Sequence, residues 1–281
     1  MVTGKVEWYR VEMSIRYVLV SRSQYVAIVS VLLAMACGAK VVFAQSPNDF
    51  KTMEKARSMY LTDPVPSSIS CGVTLDWDGF FQRMKIEPTE GIKARLEKLK
   101  TIKISVVSRD VEHTEVQIDS DNALNGVTDG VRQQLQGFFK IYWSQSYGRL
   151  FVVKPDDHFE LTTRPEGYLI QEHTGSTKVA IEMNKSYLMT RTSFETPQMS
   201  AVATPGFVAG KDGLLRLSSF DETIDMGSSK MVLNLKLDYQ RVGAYDIPQH
   251  VSVALPGAFS FDYTLGGCEV KGDSAAPAPK N

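Results

Sequence analysis

The sequence predicts a β-rich α+β protein: a single antiparallel, strongly curved sheet (a half-barrel) packed on an N-terminal helix and a mid-chain amphipathic helix. Two observations support this fold class. Residues 230–270 alternate apolar and polar side chains in three segments, as the strands of a half-buried meander do. Residues 126–147 place apolar side chains three or four residues apart, which is typical of an amphipathic helix. Because the apolar face of the meander must be covered, we expect this helix to lie on it.

The apolar residues of the meander recur at every second position, so that they share one face of the sheet. Gly243 and the pair Pro256-Gly257 separate the three segments and are residues that favour turns. The apolar positions are Met231, Leu233, Leu235, Leu237 and Tyr239, then Val251, Val253 and Leu255, then Phe259, Phe261, Tyr263 and Leu265.

The first 44 residues have the pattern of a secretory signal peptide. Arg16 and Arg22 precede an apolar run over 25–39, and the tripeptide 42–44 supplies a small-x-small exit before Gln45. The run is shorter than the roughly 20 residues of a membrane-spanning helix, although an uncleaved anchor is the alternative. We therefore expect cleavage near Ala44 and a periplasmic or secreted protein.

Cys37 offers a minor alternative, a lipid-anchored cysteine. Ala36 just before it fits a lipoprotein signal, whereas Ala34 and Met35 fit poorly. A lipid anchor at Cys37 would place the protein on a membrane instead of free in the periplasm.

The charge balance argues against nucleic acid as a partner. The chain has 31 basic and 32 acidic side chains, and removing the five basic and two acidic residues of the leader leaves 26 and 30. Binding to a phosphate backbone requires a basic face, and a mildly acidic chain does not supply one.

Cys71 and Cys268 remain after the leader is removed, and an exported protein with two cysteines usually oxidises them. The alternative is a pair of buried thiols. A disulfide would also require the first strand to lie beside the last.

The chain before the long helix shows shorter elements. Phe50, Met53 and Tyr60 recur at helical spacing, and Thr89 is a candidate N-cap. In chain order, the pattern predicts a helix over 46–61, a strand over 68–75, a turn at 76–79, a helix over 89–100 and strands near 102–106 and 116–118.

Alternating segments at hairpin spacing follow the long helix. The turn signals between them include Pro165-Glu166-Gly167, Asn184-Lys185 and Lys211-Asp212-Gly213. Residues 272–281 are rich in Pro and Ala and are predicted to be disordered. Since no linker or repeat interrupts the chain between the leader and this tail, we expect a single half-barrel-like domain over residues 45–271.

Catalytic and metal-binding motifs are missing from the sequence. It contains no G-x-S-x-G, H-E-x-x-H, C-x-x-C or G-x-G-x-x-G pattern. The four histidines are scattered, and we interpret Asp156-Asp157-His158 as a solvated turn. Asp76 and Asp78 could form a carboxylate pair, but an Asp-rich turn is the better interpretation. We predict no catalytic residue, no metal and no cofactor.

The order of elements resembles the lipoprotein-carrier superfamily of the bacterial envelope (LolA-like proteins). The similarity is carried by residues 237–243 (LDYQRVG), followed by Ile247-Pro248 and an alternating strand. It implies an unclosed β-barrel over helices that holds an apolar ligand. The aromatic helix over 126–147 and the cysteine pair depart from the family's minimal pattern.

We therefore predict a non-enzymatic envelope protein that binds a lipid or other apolar small molecule between the sheet and the covering helix. A dry core, in a module that binds an envelope protein or acts as a sensor, is the alternative, and a secreted hydrolase with a non-standard site is a third. The predicted ligand-binding residues are Phe138, Phe139, Tyr142, Trp143, Leu235, Leu237, Tyr239, Phe259, Phe261 and Tyr263.

Overall fold

The computed structural model of the chain describes residues 47–60, 65–83, 89–120, 125–146, 159–210, 213–256 and 259–272. The predicted leader and its cleavage site, Cys37, and the cluster Asp156-Asp157-His158 lie outside the described residues. So does the predicted disordered tail after Gly272.

The described residues form four helices and twelve strands. The helices are α1 (Pro47–Ser58), α2 (Trp77–Arg83), α3 (Glu90–Thr101) and α4 (Asn125–Gln145). The strands are β1 (Pro66–Leu75), β2 (Lys103–Ser108), β3 (Thr114–Asp119), β4 (Phe159–Arg164), β5 (Gly167–Thr174), β6 (Thr177–Asn184), β7 (Met189–Glu195), β8 (Ser200–Ala209), β9 (Leu215–Asp225), β10 (Lys230–Val242), β11 (Tyr245–Leu255) and β12 (Phe259–Gly272).

The strands pair in the order β3-β2-β1-β12-β11-β10-β9-β8-β7-β6-β5-β4. From β4 to β12 each strand pairs with the next one along the chain, and β1 pairs antiparallel with β12. The two end strands of the described sheet are β3 and β4, and these strands do not pair with each other to close a barrel. The predicted β-rich α+β class with one antiparallel sheet is confirmed. The prediction that the first strand lies beside the last is confirmed as well.

Contacts divide the chain into two compact units. Of the described residues, the first unit holds Pro66–Ile141 and those from Leu237 onward, and the second holds the remainder. The boundary falls within helix α4 and within strand β10, and each unit is described by itself below.

In the first unit, the predicted meander has one buried face and helix α4 packs against β12. The ring of Phe138 on α4 contacts the ring of Tyr263 on β12, with centroids 5.7 Å apart. The amide nitrogen of Gln136 also donates a hydrogen bond to the carbonyl oxygen of Thr114, at 3.2 Å. The buried side chains of the face include Leu237, Val251, Val253, Phe261, Tyr263 and Leu265.

The Asp-rich segment 76–79 was expected to be a turn, and that prediction is wrong, because helix α2 begins at Trp77. The Asp76 carboxylate accepts a hydrogen bond from the Gly79 backbone nitrogen at 2.9 Å, as an N-cap residue does. Trp77, Phe80 and Phe81 are buried along the helix. A cap followed by apolar side chains at helical spacing therefore outweighs the turn preference of Asp.

Cys71 and Cys268 form the predicted disulfide, with the two Cα atoms 4.2 Å apart. The bridge lies at an irregularity in the pairing of β1 and β12, where the register changes between Ser70 and Gly72. Gly267 and Cys268 together oppose Cys71 there, which is the arrangement of a β-bulge. Gly267 has a φ of 57°, a conformation in which glycine carries no steric penalty.

In the second unit, helix α1 packs on strands β5 to β7. The chain after α1 continues to Tyr60, which bridges to Leu215 at the start of β9. A hydrophobic cluster at this contact consists of Met53, Ala56, Tyr60, Ile170, Ile181, Met183 and Met189.

Candidate functional site

Eight of the ten predicted ligand-binding side chains are buried. Tyr239 is only half-buried, and the side chain of Phe259 lies outside the described residues. The first unit contains Phe138, Phe139, Leu237, Phe261 and Tyr263, and the second contains Tyr142, Trp143 and Leu235.

The contact between Phe138 and Tyr263 joins the predicted helix and sheet faces. The two rings are T-shaped, with an interplanar angle of 80°. Phe139 extends the contact, since its ring lies 5.1 Å from that of Phe138 at 70°. Edge-to-face pairs of this kind contribute about 0.5–1.5 kcal/mol beyond the burial of their area. These aromatic side chains therefore form a packed layer between α4 and the sheet.

Tyr263 brings a polar group into this layer. In the sheet, Tyr263 pairs with Leu75 on β1 and Val251 on β11, both apolar and buried. The side chain is 4% exposed, and its hydroxyl has no hydrogen-bond partner among the described residues. Burial raises the pKa of Tyr263 well above that of a free tyrosine, so the hydroxyl stays protonated. It can donate one hydrogen bond and accept others.

Phe261, two residues before Tyr263 on β12, has a different environment. Its ring lies 5.9 Å from that of Trp77 and 4.8 Å from that of Phe80, both on helix α2. The turn predicted at the start of α2 did not indicate these two partners. Phe261 thus belongs to an aromatic core between α2 and β12.

Two polar contacts hold the middle of helix α4 near the β2–β3 hairpin. One is the hydrogen bond from Gln136 to the Thr114 carbonyl, and the other is an ion pair of Lys140 with Glu112, with nitrogen and oxygen 3.4 Å apart. The Glu112 carboxylate is exposed, so this pair contributes at most about 1 kcal/mol. Helix α4 is therefore positioned mainly by its apolar face.

Glu222 on β9 is a buried acid that is not among the residues predicted for a site. It is 1% exposed, and neither carboxylate oxygen has a hydrogen-bond partner among the described residues. Burial raises its pKa from 4.5 to about 7. A sequence signal was present, because Glu222 occupies the apolar register between Phe220 and Ile224.

A tyrosine cluster surrounds the β6–β7 hairpin of the second unit. Tyr187 has a φ of 62°, and its ring is stacked on that of Tyr168 with centroids 5.0 Å apart. The Lys55 amine lies 4.8 Å from the centroid of the Tyr187 ring. The hydrogen bond that Tyr187 accepts from the Tyr168 hydroxyl at 3.2 Å, together with Lys55, lowers the pKa of Tyr187.

The turn between β6 and β7, which carries Tyr187, is stabilised by the side chain of Asn184. The side-chain oxygen of Asn184 accepts hydrogen bonds from the backbone nitrogens of Ser186 and Leu188, at 2.9 and 3.0 Å. Asn184 therefore stabilises the turn that the sequence predicted at Asn184-Lys185, by accepting hydrogen bonds from the backbone of the turn.

Neither a cluster of metal ligands nor a membrane-spanning helix is found among the described residues. No group of three or more His, Cys, Asp or Glu side chains there is arranged to hold a metal ion. None of the described helices combines the length and apolar character needed to cross a membrane.

No protein-family model, curated protein or solved structure matches this chain. The resemblance to lipoprotein carriers therefore rests on the order and spacing of residues alone and stays a prediction.

Proposed function

We propose that this protein is an exported, non-enzymatic envelope protein that binds a lipid or other apolar ligand beneath helix α4, against β12 and the strands beside it. The observation that carries the proposal is the Tyr263 hydroxyl, which is buried without a hydrogen-bond partner among the described residues. In this proposal an apolar chain inserts into the surrounding layer when α4 moves, and the hydroxyl forms a hydrogen bond with its head group.

The Tyr263 hydroxyl is costly to bury without a hydrogen-bond partner. Leaving a buried polar group unsatisfied costs about 1–3 kcal/mol, whereas phenylalanine would fill the same volume without that cost. A ligand carbonyl or carboxyl at Tyr263 would remove the penalty. Binding sites for small molecules commonly have this composition, an apolar lining with very few polar groups that fix the orientation of the ligand.

The same geometry defines how a ligand would enter. Because Phe138 and Tyr263 are almost completely buried, the ligand reaches the hydroxyl only if α4 shifts on the sheet. The polar contacts of Gln136 and Lys140 would have to break or move with the helix. In this proposal the sheet is strongly curved, as a half-barrel, so that its concave face accommodates an acyl chain.

Export is part of the proposal, and the disulfide supports it. Disulfides such as Cys71–Cys268 persist in oxidising compartments and are rare in the cytosol. Fractionation of producing cells should recover the protein in the periplasm or medium, with its N-terminus near Gln45. A reduced, unprocessed chain in the cytosol would contradict export.

A binding series tests the ligand site. The purified protein is titrated with a fatty acid, the alcohol of equal chain length and the alkane of equal length. We expect the two ligands with a head group to bind more tightly than the alkane. Replacing Tyr263 by Phe should weaken their binding about tenfold, the value of one hydrogen bond of about 1.4 kcal/mol. Tyr168→Phe removes a hydroxyl in the second unit and is the matched control.

Two results would contradict this assignment: an absence of binding by all three ligands, and equal losses of affinity in Tyr263→Phe and Tyr168→Phe.

The end strands favour a second candidate function, the binding of a protein partner. In the described part of the sheet, β3 pairs only with β2, and β4 pairs only with β5. An extended peptide can add a strand at such an edge. Mild crosslinking in the envelope that recovers one stable partner through β3 or β4, without bound lipid, would favour this function over the first.

A further inference from the structure

Glu222 lies on the buried face of the second unit, among apolar neighbours. Burial alternates along β9, so that Phe220, Glu222 and Ile224 share one face and Asp221 and Thr223 are exposed on the other. In the sheet, Glu222 pairs with Ala203 on β8 and Leu233 on β10, both of which are buried. A carboxyl group thus stands at a position where the pattern of the sheet requires an apolar side chain.

No basic side chain of the neighbouring strands faces Glu222. Strand β8 has no charged residue. On β10, Lys230 and Lys236 each lie three residues from the buried Leu233. Because side chains alternate along a strand, both lysines lie on the opposite face of the sheet. Arg216 of β9 is itself buried, but it precedes an irregularity in the pairing and faces Val208, which the alternation of β8 places on the opposite face from Ala203. Asp221 and Asp225, the other charged residues of β9, lie on the opposite face as well.

The neighbour on one side is small. Ala203 faces Glu222, and the next residue across the sheet in the same row is Thr192 on β7. Ala201 occupies the adjacent position on β8. The strand neighbour of the carboxyl group is therefore smaller on β8, where it is Ala203, than on β10, where it is Leu233.

An ionised carboxylate at such a position needs a positive partner. Burying one alone costs far more than burying a neutral group, and buried charges in proteins are normally paired. We propose that Glu222 is the recognition group of a second ligand site, on the buried face of β8–β10, which takes an amphiphilic amine: a protonated primary amine on an apolar chain. This site lies in the second unit and does not rest on the ligand site at Tyr263.

The proposed chemistry separates this ligand from the acyl ligand considered above. A carboxylate attracts an ammonium group, forms a charge-assisted hydrogen bond with it and repels a fatty acid. The apolar side chains of Phe220, Ile224 and Leu233 would contact the alkyl chain. An alcohol of the same length would keep those contacts but lose the charge.

Calorimetric titration of the full chain with octylamine, octanol and octanoate at pH 8 tests the site. We expect octylamine to bind at least about tenfold more tightly than octanol, and octanoate not to bind at Glu222. Glu222→Gln keeps the shape and removes the charge, and it should lower octylamine affinity by about tenfold or more. Glu160→Gln removes the same charge from an exposed position on β4 and should leave the affinity unchanged.

The pH dependence of the unaltered protein provides a second measurement that does not depend on the folding of a variant. Octylamine stays protonated below pH 8, so its affinity should fall as the pH is lowered through about 7 and Glu222 takes up a proton. Equal affinities for octylamine and octanol would overturn the proposal. So would a pH-independent octylamine affinity, or a buried water as the sole partner of Glu222 in a protein that does not bind the amine.

Discussion

The ring of Phe138 stands edge-on to the ring of Tyr263, with centroids 5.7 Å apart. Phe138 belongs to the helix whose apolar spacing is visible in the sequence, and Tyr263 belongs to the last strand of the meander. Their contact fixes α4 on the buried face of the first unit. It also places the only polar atom of the Tyr263 side chain in an apolar layer, which is the basis of the proposed ligand site.

The packing of Phe138 can be tested by truncation. Because the side chain is 2% exposed and contacts two aromatic rings, Phe138→Ala should lower the free energy of unfolding by about 3–5 kcal/mol. Val208→Ala at an exposed position should change it by no more than about 0.5 kcal/mol. Chemical denaturation measures both. A loss below about 1 kcal/mol for Phe138→Ala would mean that α4 rests on the sheet without tight packing.

Because the two cysteines share one bond, the losses of stability on replacing each of them should not add. It closes a loop with a sequence separation of 197 residues, for which the chain-entropy model gives about 5 kcal/mol. Cys71→Ser and Cys268→Ser should destabilise the protein by similar amounts, and the double variant should lose little more. Thermal unfolding under non-reducing conditions measures this. Losses that add in the double variant would contradict a bond between the two residues.

Tyr60 supplies a hydrogen-bond acceptor inside the second unit. Its hydroxyl oxygen accepts a hydrogen bond from the Met189 backbone nitrogen at 2.6 Å, and burial raises its pKa to about 12. Tyr60→Phe leaves that nitrogen without its partner, so we expect a loss of about 1–3 kcal/mol in unfolding free energy. Tyr168→Phe, at a less buried hydroxyl, should cost less than about 1 kcal/mol. Equal losses in the two variants would contradict this role for Tyr60.

Glu222 makes stability depend on pH in a defined direction. Its pKa in the folded protein, about 7, is higher than the 4.5 of a free glutamate, so the folded state binds the proton more tightly. Stability should therefore fall as the pH rises from about 4.5 through 7. At pH 8, Glu222→Gln should be more stable than the unaltered protein by about 3 kcal/mol, and near pH 4 the two should be equal.

Denaturation at both pH values, with Glu160→Gln as the control, measures the difference. A stabilisation of Glu222→Gln that is the same at pH 4 and pH 8 would show that the carboxyl group does not titrate in this range.

The architecture could be predicted because its signals are local and periodic. The two-residue period of β10–β12 and the helical spacing around Phe138 each identify an element and its buried face. The cysteine pair added one long-range constraint, since joining Cys71 to Cys268 requires β1 beside β12. Asp76 shows the limit of this approach, because a carboxylate that favours turns also caps helices, and only the packing of Phe80 and Phe81 decided between the two.

The candidate sites were less accessible from sequence. Alternation placed Tyr263 on the buried face, but whether its hydroxyl finds a partner depends on side chains from other strands and from α4. Phe261 was grouped with Tyr263 by the same period, yet it packs on Trp77 and Phe80 of α2, which the sequence pattern did not indicate. Glu222 can be recognised in the sequence as a charged residue at an apolar position. The sequence does not show that its neighbour on β8 is the small residue Ala203.

Native mass spectrometry of the protein purified from producing cells without detergent, followed by solvent extraction, tests the central claim most directly. We predict a reproducible mass excess that resolves into a single lipid class and that is reduced in Tyr263→Phe but retained in Tyr168→Phe. A mass equal to that of the chain with its disulfide, with no extractable lipid, would contradict the ligand site at Tyr263.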